Sequence, residues 1–271
     1  MTDLTLKNKK HSEIIGLFPA AGLATRISPL PCSKELYPVG FRYVDKGHGL
    51  RPKVVGHYLL EKMQFANVAK VFIILREGKW DIPAYFGDGR EFGPHLAYLM
   101  MNEPFGVPFT LDQAYPFIRN AEVVFGFPDI IFKPDDAFSK LLAKLAGSGA
   151  DIVLGLFQAP QPHMMDMVGM DSEGQISEIQ IKPTSTNYRY TWIIAVWAPS
   201  FTQFMHEYVS FIRKKSDTAM RNREVFLSDV INAAMKNDMK VDKVTFAGGI
   251  CLDIGIPENL VKVAQLAPEA L

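Results

Sequence analysis

The sequence predicts an α/β fold built around a mostly parallel β-sheet. Short apolar segments alternate with segments of helical periodicity through the first half of the chain. The apolar segments lack the strict apolar–polar alternation of half-exposed strands, so we expect helices on both faces of the sheet. With 271 residues, 48% of them hydrophobic and 21% charged, the chain has the size and composition of one large globular domain.

The chain begins with a βαβ pattern. Residues 13–19 (EIIGLFP) and 71–75 (VFIIL) predict buried strands, and residues 54–67 predict the helix between them. Residues 20–51 are predicted to form a loop because they are rich in proline and small residues. The polar residues 1–12 predict a frayed end. A right-handed crossover should join the two strands.

Strands and helices continue to alternate along the middle of the chain. The predicted strands are residues 96–101, 122–127 and 151–157, and the predicted helices are residues 110–119 and 136–146. The second of these helices begins with acidic residues, which suits the helix dipole.

The second half of the chain is richer in predicted strands. The predicted strands are residues 167–171, 175–181, 190–197 and 241–246; the predicted helices are 201–213, 224–235 and 257–265; the charged residues 214–223 are expected to be mobile. Residues 160–200 therefore predict a small β-rich extension. No linker separates it, so residues 13–271 are expected to form one domain.

Charge and cysteine content narrow the function classes. The 29 basic and 29 acidic residues balance, which argues against a dedicated nucleic-acid binder. Cys32 and Cys251 are too few for a disulfide framework. No apolar segment reaches the length of a membrane span, and the N-terminus lacks the apolar core of a signal peptide. We expect a cytoplasmic protein with no membrane or nucleic-acid partner; a homo-oligomer is left open.

The most informative segment is residues 19–39 (PAAGLATRISPLPCSKELYPV), directly after the first predicted strand. Its small residues let a ligand approach backbone N–H groups that bind anions; they are Ala20, Ala21, Gly22 and Ala24. Arg26 and Lys34 would add fixed positive charge for phosphates. The alternative interpretation is an ordinary turn with surface cations. The segment matches neither a dinucleotide fingerprint nor a P-loop.

Residues 19–39 resemble the signature of sugar-1-phosphate nucleotidyltransferases, G-G-x-G-T-R-L-x-P-x-T-x-x-x-P-K-x-L-x-P-V. This family includes glucose-1-phosphate thymidylyltransferases and UTP–glucose-1-phosphate uridylyltransferases. Further similar segments follow in the family's order: residues 87–93 (GDGREFG), 127–132 (FPDIIF), 181–183 (IKP) and 252–260 (LDIGIPENL). The resemblance implies a Rossmann-like three-layer α/β/α nucleotidyltransferase fold, with the β-rich extension on the sugar side.

The resemblance also implies a reaction: a nucleoside triphosphate and a sugar-1-phosphate give an NDP-sugar and pyrophosphate, with Mg²⁺. Asp129 and Asp253, each at the end of a short apolar segment, would bind the metal. Two carboxylates suit Mg²⁺, which takes one or two of them together with phosphate oxygens. Catalytic charge would come from Arg26, Lys34 and Lys182.

The same resemblance assigns the ligand contacts. The implied nucleotide-binding residues are Ala20, Ala21, Gly22, Leu23, Ala24, Thr25, Arg26, Gly106 and Asp129. Lys182, Asn187 and Tyr188 would contact the sugar phosphate. The family favours dTTP or UTP, whereas the segment that reads the base is so altered that CTP and GTP stay open.

Five positions depart from the family pattern. Ala24 stands where the family has glycine, and Pro128 removes an N–H beside the metal aspartate. On the sugar side, Ile181 stands where the family has glutamate, Asp166 where it has glycine, and Trp192 where it has a small residue. Two interpretations stay open: a transferase with an unusual acceptor, or a nucleotide-binding relative that acts as a sensor or interaction subunit. A third, a short reductase, is disfavoured because G-x-G-x-x-G is missing.

Overall fold

A mixed β-sheet lies between two layers of helices. The computed structural model describes residues 12–44, 49–102, 105–214 and 224–265. The frayed end predicted for residues 1–12 lies outside these ranges except for Ser12, and so does the mobile segment predicted for residues 214–223 except for Lys214.

The strands of the described residues are β1 (Ile14–Ala20), β2 (Pro38–Val44), β3 (Gly49–Val54), β4 (Lys70–Arg76), β5 (His95–Met101), β6 (Glu122–Gly126), β7 (Ile130–Lys133), β8 (Ile152–Gln158), β9 (Met167–Met170), β10 (Ile176–Gln180), β11 (Tyr190–Trp197), β12 (Val241–Phe246) and β13 (Ile250–Asp253). The helices are α1 (Val55–Phe65), α2 (Asp81–Phe86), α3 (Val107–Asp112), α4 (Tyr115–Ile118), α5 (Ala137–Ser148), α6 (Pro199–Lys214), α7 (Leu227–Lys236) and α8 (Pro257–Gln265). None of the described helices is both long enough and apolar enough to cross a membrane.

The main sheet has the order β12-β8-β11-β6-β1-β4-β5. Its centre, formed by β6, β1, β4 and β5, is parallel, as the apolar segments predict. Strand β11 runs antiparallel to both β6 and β8. The fold class is therefore confirmed as a three-layer α/β/α arrangement. Ligands of such sheets bind at the carboxyl ends of the parallel strands, which here include the neighbouring ends of β1 and β6.

The predicted β-rich extension is continuous with this sheet. The β9–β10 hairpin joins it where Tyr190, at the start of β11, pairs with Val168 of β9. The rest of β11 lies in the sheet itself, because Ile194 pairs with Gly126 of β6. Residues contributed by β9 and β11 are thereby held rigidly beside the end of β6.

Apolar side chains cover both faces of the sheet. On one face, α1 and α5 bury Leu59 and Phe138, and on the other, α3 and α6 bury Phe109 and Phe201. A third, smaller cluster lies under the β7–β13 ribbon; it includes Tyr58, Ile131, Ile254 and Val263. Burial of apolar surface is the main stabilising contribution in each cluster.

Two predictions of local structure are wrong. Residues 20–51 are not one loop, since they contain a 3₁₀ turn at Lys34–Leu36 and the β2–β3 hairpin, whose prolines and glycines hide the strand pattern. The helix predicted for residues 110–119 is instead two short helices, α3 and α4. Pro116, in the first turn of α4, has no N–H with which to continue α3. Helix α2 and strand β7 were not predicted.

Candidate functional site

Two neighbouring cavities open at the carboxyl ends of β1 and β6. The large cavity, of about 630 Å³, lies between residues 21–25 and residues 105–110. The small cavity, of about 200 Å³, lies between Lys182, β11 and residues 224–227. Asp129 lines both cavities, so chemistry at Asp129 can involve a ligand in each.

The two predicted metal ligands are brought together by the β7–β13 ribbon. Asp253, the last residue of β13, pairs with Ile130 of β7, and the Ile254 N–H donates to the Asp129 carbonyl at 2.8 Å. The Gly255 N–H donates to Asp253 Oδ1 at 2.8 Å and fixes that carboxylate. We call Asp129 and Asp253 the acid pair.

Gly255 lies in the small space where the site's charges converge. A Cβ at Gly255 would come within 2.8 Å of Arg26, 2.9 Å of the Asp253 Oδ1 atom and 3.4 Å of the Asp129 Oδ2 atom. Only glycine leaves this space open. The carboxylate oxygens facing it are the hard ligands that Mg²⁺ prefers.

Each member of the acid pair is matched by one cation of the segment after β1. Lys34 Nζ donates to Asp129 Oδ2 at 2.5 Å, and Arg26 lies 3.4 Å from Asp253 Oδ2. The 3₁₀ turn that carries Lys34 is anchored by Ser33, whose N–H and hydroxyl both donate to the carboxylate of Asp81. The site therefore holds two positive and two negative charges in close contact.

The pKa values of Asp129 and Asp253 are shifted in opposite directions. Burial acts to raise the pKa of Asp129, but the Lys34 ammonium and its hydrogen bond bring that pKa below its usual value. Burial, with the neighbouring charge of Asp129, raises the pKa of Asp253. A divalent cation between the two carboxylates would relieve this repulsion. Among the described residues, no group of three or more histidine, cysteine or acidic side chains is placed so that it could hold a metal ion.

The segment after β1 forms one wall of the large cavity. Its residues on that wall are Ala21, Gly22, Leu23, Ala24 and Thr25; Ala20, also predicted to bind the nucleotide, is buried within β1 and lines neither cavity. Ala24 adopts φ +55°, the left-handed conformation for which the family uses glycine. The Ala24 carbonyl accepts hydrogen bonds from the Ile27 N–H and the Ser28 hydroxyl, and these hold the turn.

Gly106 forms part of the opposite wall of the large cavity. Its φ is +114°, and a Cβ there would lie 2.0 Å from the Val225 carbonyl oxygen. The Val225 N–H in turn donates to the Phe105 carbonyl at 3.0 Å. This close approach brings residue 224 to the cavity, so Glu224 lines it beside Phe105. Sequence reasoning found Gly106 alone, because the packing of two distant segments leaves no local pattern.

Lys182 lines the small cavity, but the other two predicted sugar residues do not. Lys182 Nζ lies 4.5 Å from the centre of the Phe226 ring, a cation–π contact. Asn187 and Tyr188 line neither cavity. The Tyr188 hydroxyl donates to Glu178 at 2.6 Å on the outer β10 strand. Tyr188 is held there by its packing against β9, which the sequence motif does not encode.

Two of the departures from the family pattern, Asp166 and Trp192, also line the small cavity. They are connected through Ser228 of α7, a residue that sequence reasoning missed. Pro128 lines the large cavity next to Asp129. Four of the five departures therefore lie at the two cavities; the fifth, Ile181, lines neither of them.

This chain is similar to known proteins over most of its length. The sequence pattern of the nucleotidyl transferase family matches residues 16–269. The low-salt glycan biosynthesis nucleotidyltransferase of Haloferax volcanii is 20% identical over 258 residues, which cover 94% of this chain and 66% of that protein. A glucose-1-phosphate thymidylyltransferase of Streptomyces griseus is 22% identical over 254 residues, covering 92% and 65%. The chain thus spans about two thirds of the length of these relatives.

Solved structures show the same fold. A Bacillus anthracis protein assigned as a glucose-1-phosphate thymidylyltransferase has a TM-score of 0.77 at 20% identity, covering 94% of this chain and 96% of its own. The UTP-bound UGPase of Acinetobacter baumannii has a TM-score of 0.73 at 14% identity, covering 93% and 92%. A UDP-glucose pyrophosphorylase complexed with UDP-glucose has a TM-score of 0.72 at 16% identity, covering 93% and 97%.

Proposed function

This chain belongs to the nucleotidyl transferase family, and from that membership we propose that it joins a nucleoside triphosphate to a sugar-1-phosphate with release of pyrophosphate. The observation that carries the proposal is the position of the acid pair, matched by Arg26 and Lys34, where the two cavities meet. Two phosphorylated ligands could meet there, one from each cavity.

The large cavity would hold the nucleotide. Backbone N–H groups of residues 22–25 would bind phosphate oxygens, as such nests do in other phosphate sites. Arg26 would neutralise the outer phosphates and the leaving pyrophosphate. Lys34, already beside Asp129, would neutralise charge that develops on the α-phosphate.

The small cavity would hold the acceptor phosphate against Lys182. An oxygen of that phosphate attacks the α-phosphorus, and the bond from the α-phosphorus to the oxygen bridging to the β-phosphate breaks. Pyrophosphate leaves with that oxygen and its electron pair. Asp129 and Asp253 fit Mg²⁺, which would supply charge neutralisation and alignment of the reacting phosphates.

The base is proposed to be a pyrimidine, with dTTP or UTP favoured. Two relatives support this: a curated thymidylyltransferase and a solved UGPase with bound UTP. The large cavity would receive the base between residues 105–110 and Pro128. Because these residues differ from the family's base-reading segment, CTP and GTP belong in the same test.

Pyrophosphate release tests the proposal. The purified protein with Mg²⁺ is given dTTP, UTP, CTP or GTP together with glucose-1-phosphate, galactose-1-phosphate or glucosamine-1-phosphate. We expect one of the triphosphates to support pyrophosphate release, and to do so only when an acceptor is present. A triphosphate that raises the melting temperature without any release would instead support a nucleotide sensor.

A further inference from the structure

The small cavity is lined by two carboxylates that the proposed reaction does not use, Asp166 and the exposed Glu224. Asp166 lines it together with Lys182 and Trp192. Unlike the acid pair, Asp166 belongs to the segment just before β9 and is not paired with Arg26 or Lys34. Its role is therefore separate from the binding of metal or triphosphate.

A chain of buried hydrogen bonds fixes Asp166. Trp192 Nε1 donates to the Ser228 hydroxyl at 2.9 Å, and that hydroxyl donates to Asp166 Oδ2 at 2.6 Å. The Thr191 hydroxyl donates to the Asp166 carbonyl at 2.8 Å. Ser228, Trp192 and Thr191 are each buried. Asp166 is thus preorganised, as a ligand-binding group must be.

The second oxygen of this carboxylate has no hydrogen-bond partner among the described residues. Asp166 Oδ1 is buried and unpaired. Asp112, another buried aspartate, gives the contrast: its Oδ1 contacts His206 Nδ1 at 2.7 Å, and its Oδ2 accepts from Arg213 at 2.9 Å. Asp112 has both oxygens occupied and lies outside both cavities. An unpaired buried oxygen beside a cavity is free to accept a hydrogen bond from a ligand bound there.

The groups around Asp166 fit a ligand that has both polar and apolar surface. Burial raises the pKa of Asp166, although the Ser228 hydroxyl and Lys182 lower it in part. The Trp192 and Phe127 rings, 5.8 Å apart between centres, add apolar walls. An apolar cavity with a few fixed polar groups is typical of a site that reads a small molecule.

We propose that Asp166 selects the acceptor, by accepting a hydrogen bond from a hydroxyl or ammonium group of the sugar phosphate bound in the small cavity. This inference rests on the proposed function. What is new is that Asp166, a residue outside the acid pair and its two cations, decides which acceptor binds. Asp166 is a specificity residue and leaves nucleotide binding unchanged.

The test compares wild type with Asp166→Asn, which keeps an oxygen for the Ser228 hydroxyl but removes the charge. KM is measured for glucose-1-phosphate, glucosamine-1-phosphate and the preferred triphosphate. We expect the acceptor KM to rise at least tenfold and the triphosphate KM to change less than twofold. An equal rise for both acceptors indicates a hydroxyl donor; a larger rise for glucosamine-1-phosphate indicates an ammonium. An unchanged acceptor KM overturns the proposal.

Asp112→Asn is the matched control. It alters a buried aspartate outside both cavities, so we expect a lower melting temperature with an unchanged acceptor KM. If this control raises the acceptor KM as much as Asp166→Asn does, the effect is structural and the proposal fails. If Asp166→Asn does not melt cooperatively, Ser228→Ala takes its place. Ser228→Ala removes the hydroxyl that holds Asp166, so we expect a higher acceptor KM. An unchanged acceptor KM in Ser228→Ala would overturn the proposal.

Direct binding separates this inference from the proposed function. If wild type releases no pyrophosphate, the proposed reaction fails, and calorimetry with the same two sugar phosphates still tests Asp166. If Asp166→Asn binds either sugar phosphate more weakly than wild type does, Asp166 is a residue that binds the acceptor. Equal affinities in the two proteins, or no binding to wild type, would overturn it.

Discussion

Lys34 Nζ lies 2.5 Å from Asp129 Oδ2, although 95 residues separate the two in the chain. The contact joins the segment after β1 to the end of β6, the two central strands of the sheet. It places the cation of the predicted phosphate-binding segment against the acid proposed to hold the metal. Both assignments therefore concern one site, and substitutions on either side should affect the same step.

Asp81 is expected to act through Lys34. The carboxylate of Asp81 accepts the Ser33 N–H at 2.6 Å and the Ser33 hydroxyl at 2.7 Å, which fixes the turn before Lys34. Asp81→Ala should lower kcat about tenfold by misplacing Lys34, and should lower the free energy of unfolding by about 1–2 kcal/mol. Steady-state kinetics and urea unfolding measure the two effects. Asp88→Ala, at an exposed turn, is the control and should do neither.

The stability effect of Asp81 should depend on pH. Burial acts to raise the pKa of Asp81, but the hydrogen bonds from Ser33 bring it below its usual value. A carboxylate with a lowered folded pKa stabilises the protein above its unfolded pKa, and that contribution is lost as pH falls through the folded pKa. The difference in unfolding free energy between wild type and Asp81→Ala should thus be full at neutral pH and shrink below roughly pH 4. A difference that stays constant on acidification would contradict this origin.

Ala24→Gly should stabilise the protein. Ala24 has φ +55°, a conformation that costs a residue with a Cβ about 1–2 kcal/mol. Part of the gain is offset by the greater freedom of glycine in the unfolded chain, so we expect a net gain of about 0.5–1 kcal/mol in urea unfolding. Asn67→Gly is the control, because Asn67 has φ +59° and asparagine tolerates that region better. A loss of stability in Ala24→Gly would show that the alanine side chain itself is needed.

Gly106→Ala should weaken nucleotide binding. The new Cβ would lie 2.0 Å from the Val225 carbonyl oxygen and must displace the segment that brings Glu224 to the large cavity. We expect the triphosphate KM to rise at least tenfold, together with a lower melting temperature. Gly147→Ala in α5, where a Cβ meets nothing within 4 Å, should leave the triphosphate KM unchanged and should not lower the melting temperature. If Gly106→Ala and Gly147→Ala have the same triphosphate KM and the same melting temperature, the close approach at Gly106 is not needed for nucleotide binding.

Glu35 should be a main determinant of stability. It is completely buried, next to Lys34, and accepts a hydrogen bond from Lys79 at 2.7 Å. Glu35→Gln leaves the Lys79 charge buried without its partner, so we expect a loss of about 3–5 kcal/mol in unfolding free energy. Glu13→Gln, which breaks an exposed pair with Lys70, should cost below about 1 kcal/mol. Similar losses in both variants would contradict this account.

The sequence predicts the fold well because most buried strands are short apolar segments with clear ends. Strands β1, β4 and β11 begin and end within about one residue of their predicted bounds. The β2–β3 hairpin was missed because its strands are largely exposed and carry proline and glycine, so neither apolar content nor alternation marks them. Where burial is low, the hydrophobic pattern carries little information.

The residues of the site were likewise predicted where a local motif marks them, and missed where only tertiary packing brings them together. Arg26, Lys34 and the acid pair were predicted because they stand at fixed places in motifs, and the structure brings them together. Ser228 was missed because the Trp192–Ser228–Asp166 chain joins three distant segments through tertiary contacts alone. Local sequence does not report such contacts.

Pyrophosphate release by wild type, Asp129→Asn and Asp253→Asn, with the preferred triphosphate, an acceptor and Mg²⁺, tests the central claim most directly. We expect release by wild type and a rate at least about 100-fold lower in both variants, because each loses a charge needed to hold the metal and phosphates. Cooperative melting of both variants would show that they remain folded. Release at the wild-type rate by a folded Asp129→Asn protein would contradict the claim that the acid pair is the catalytic centre.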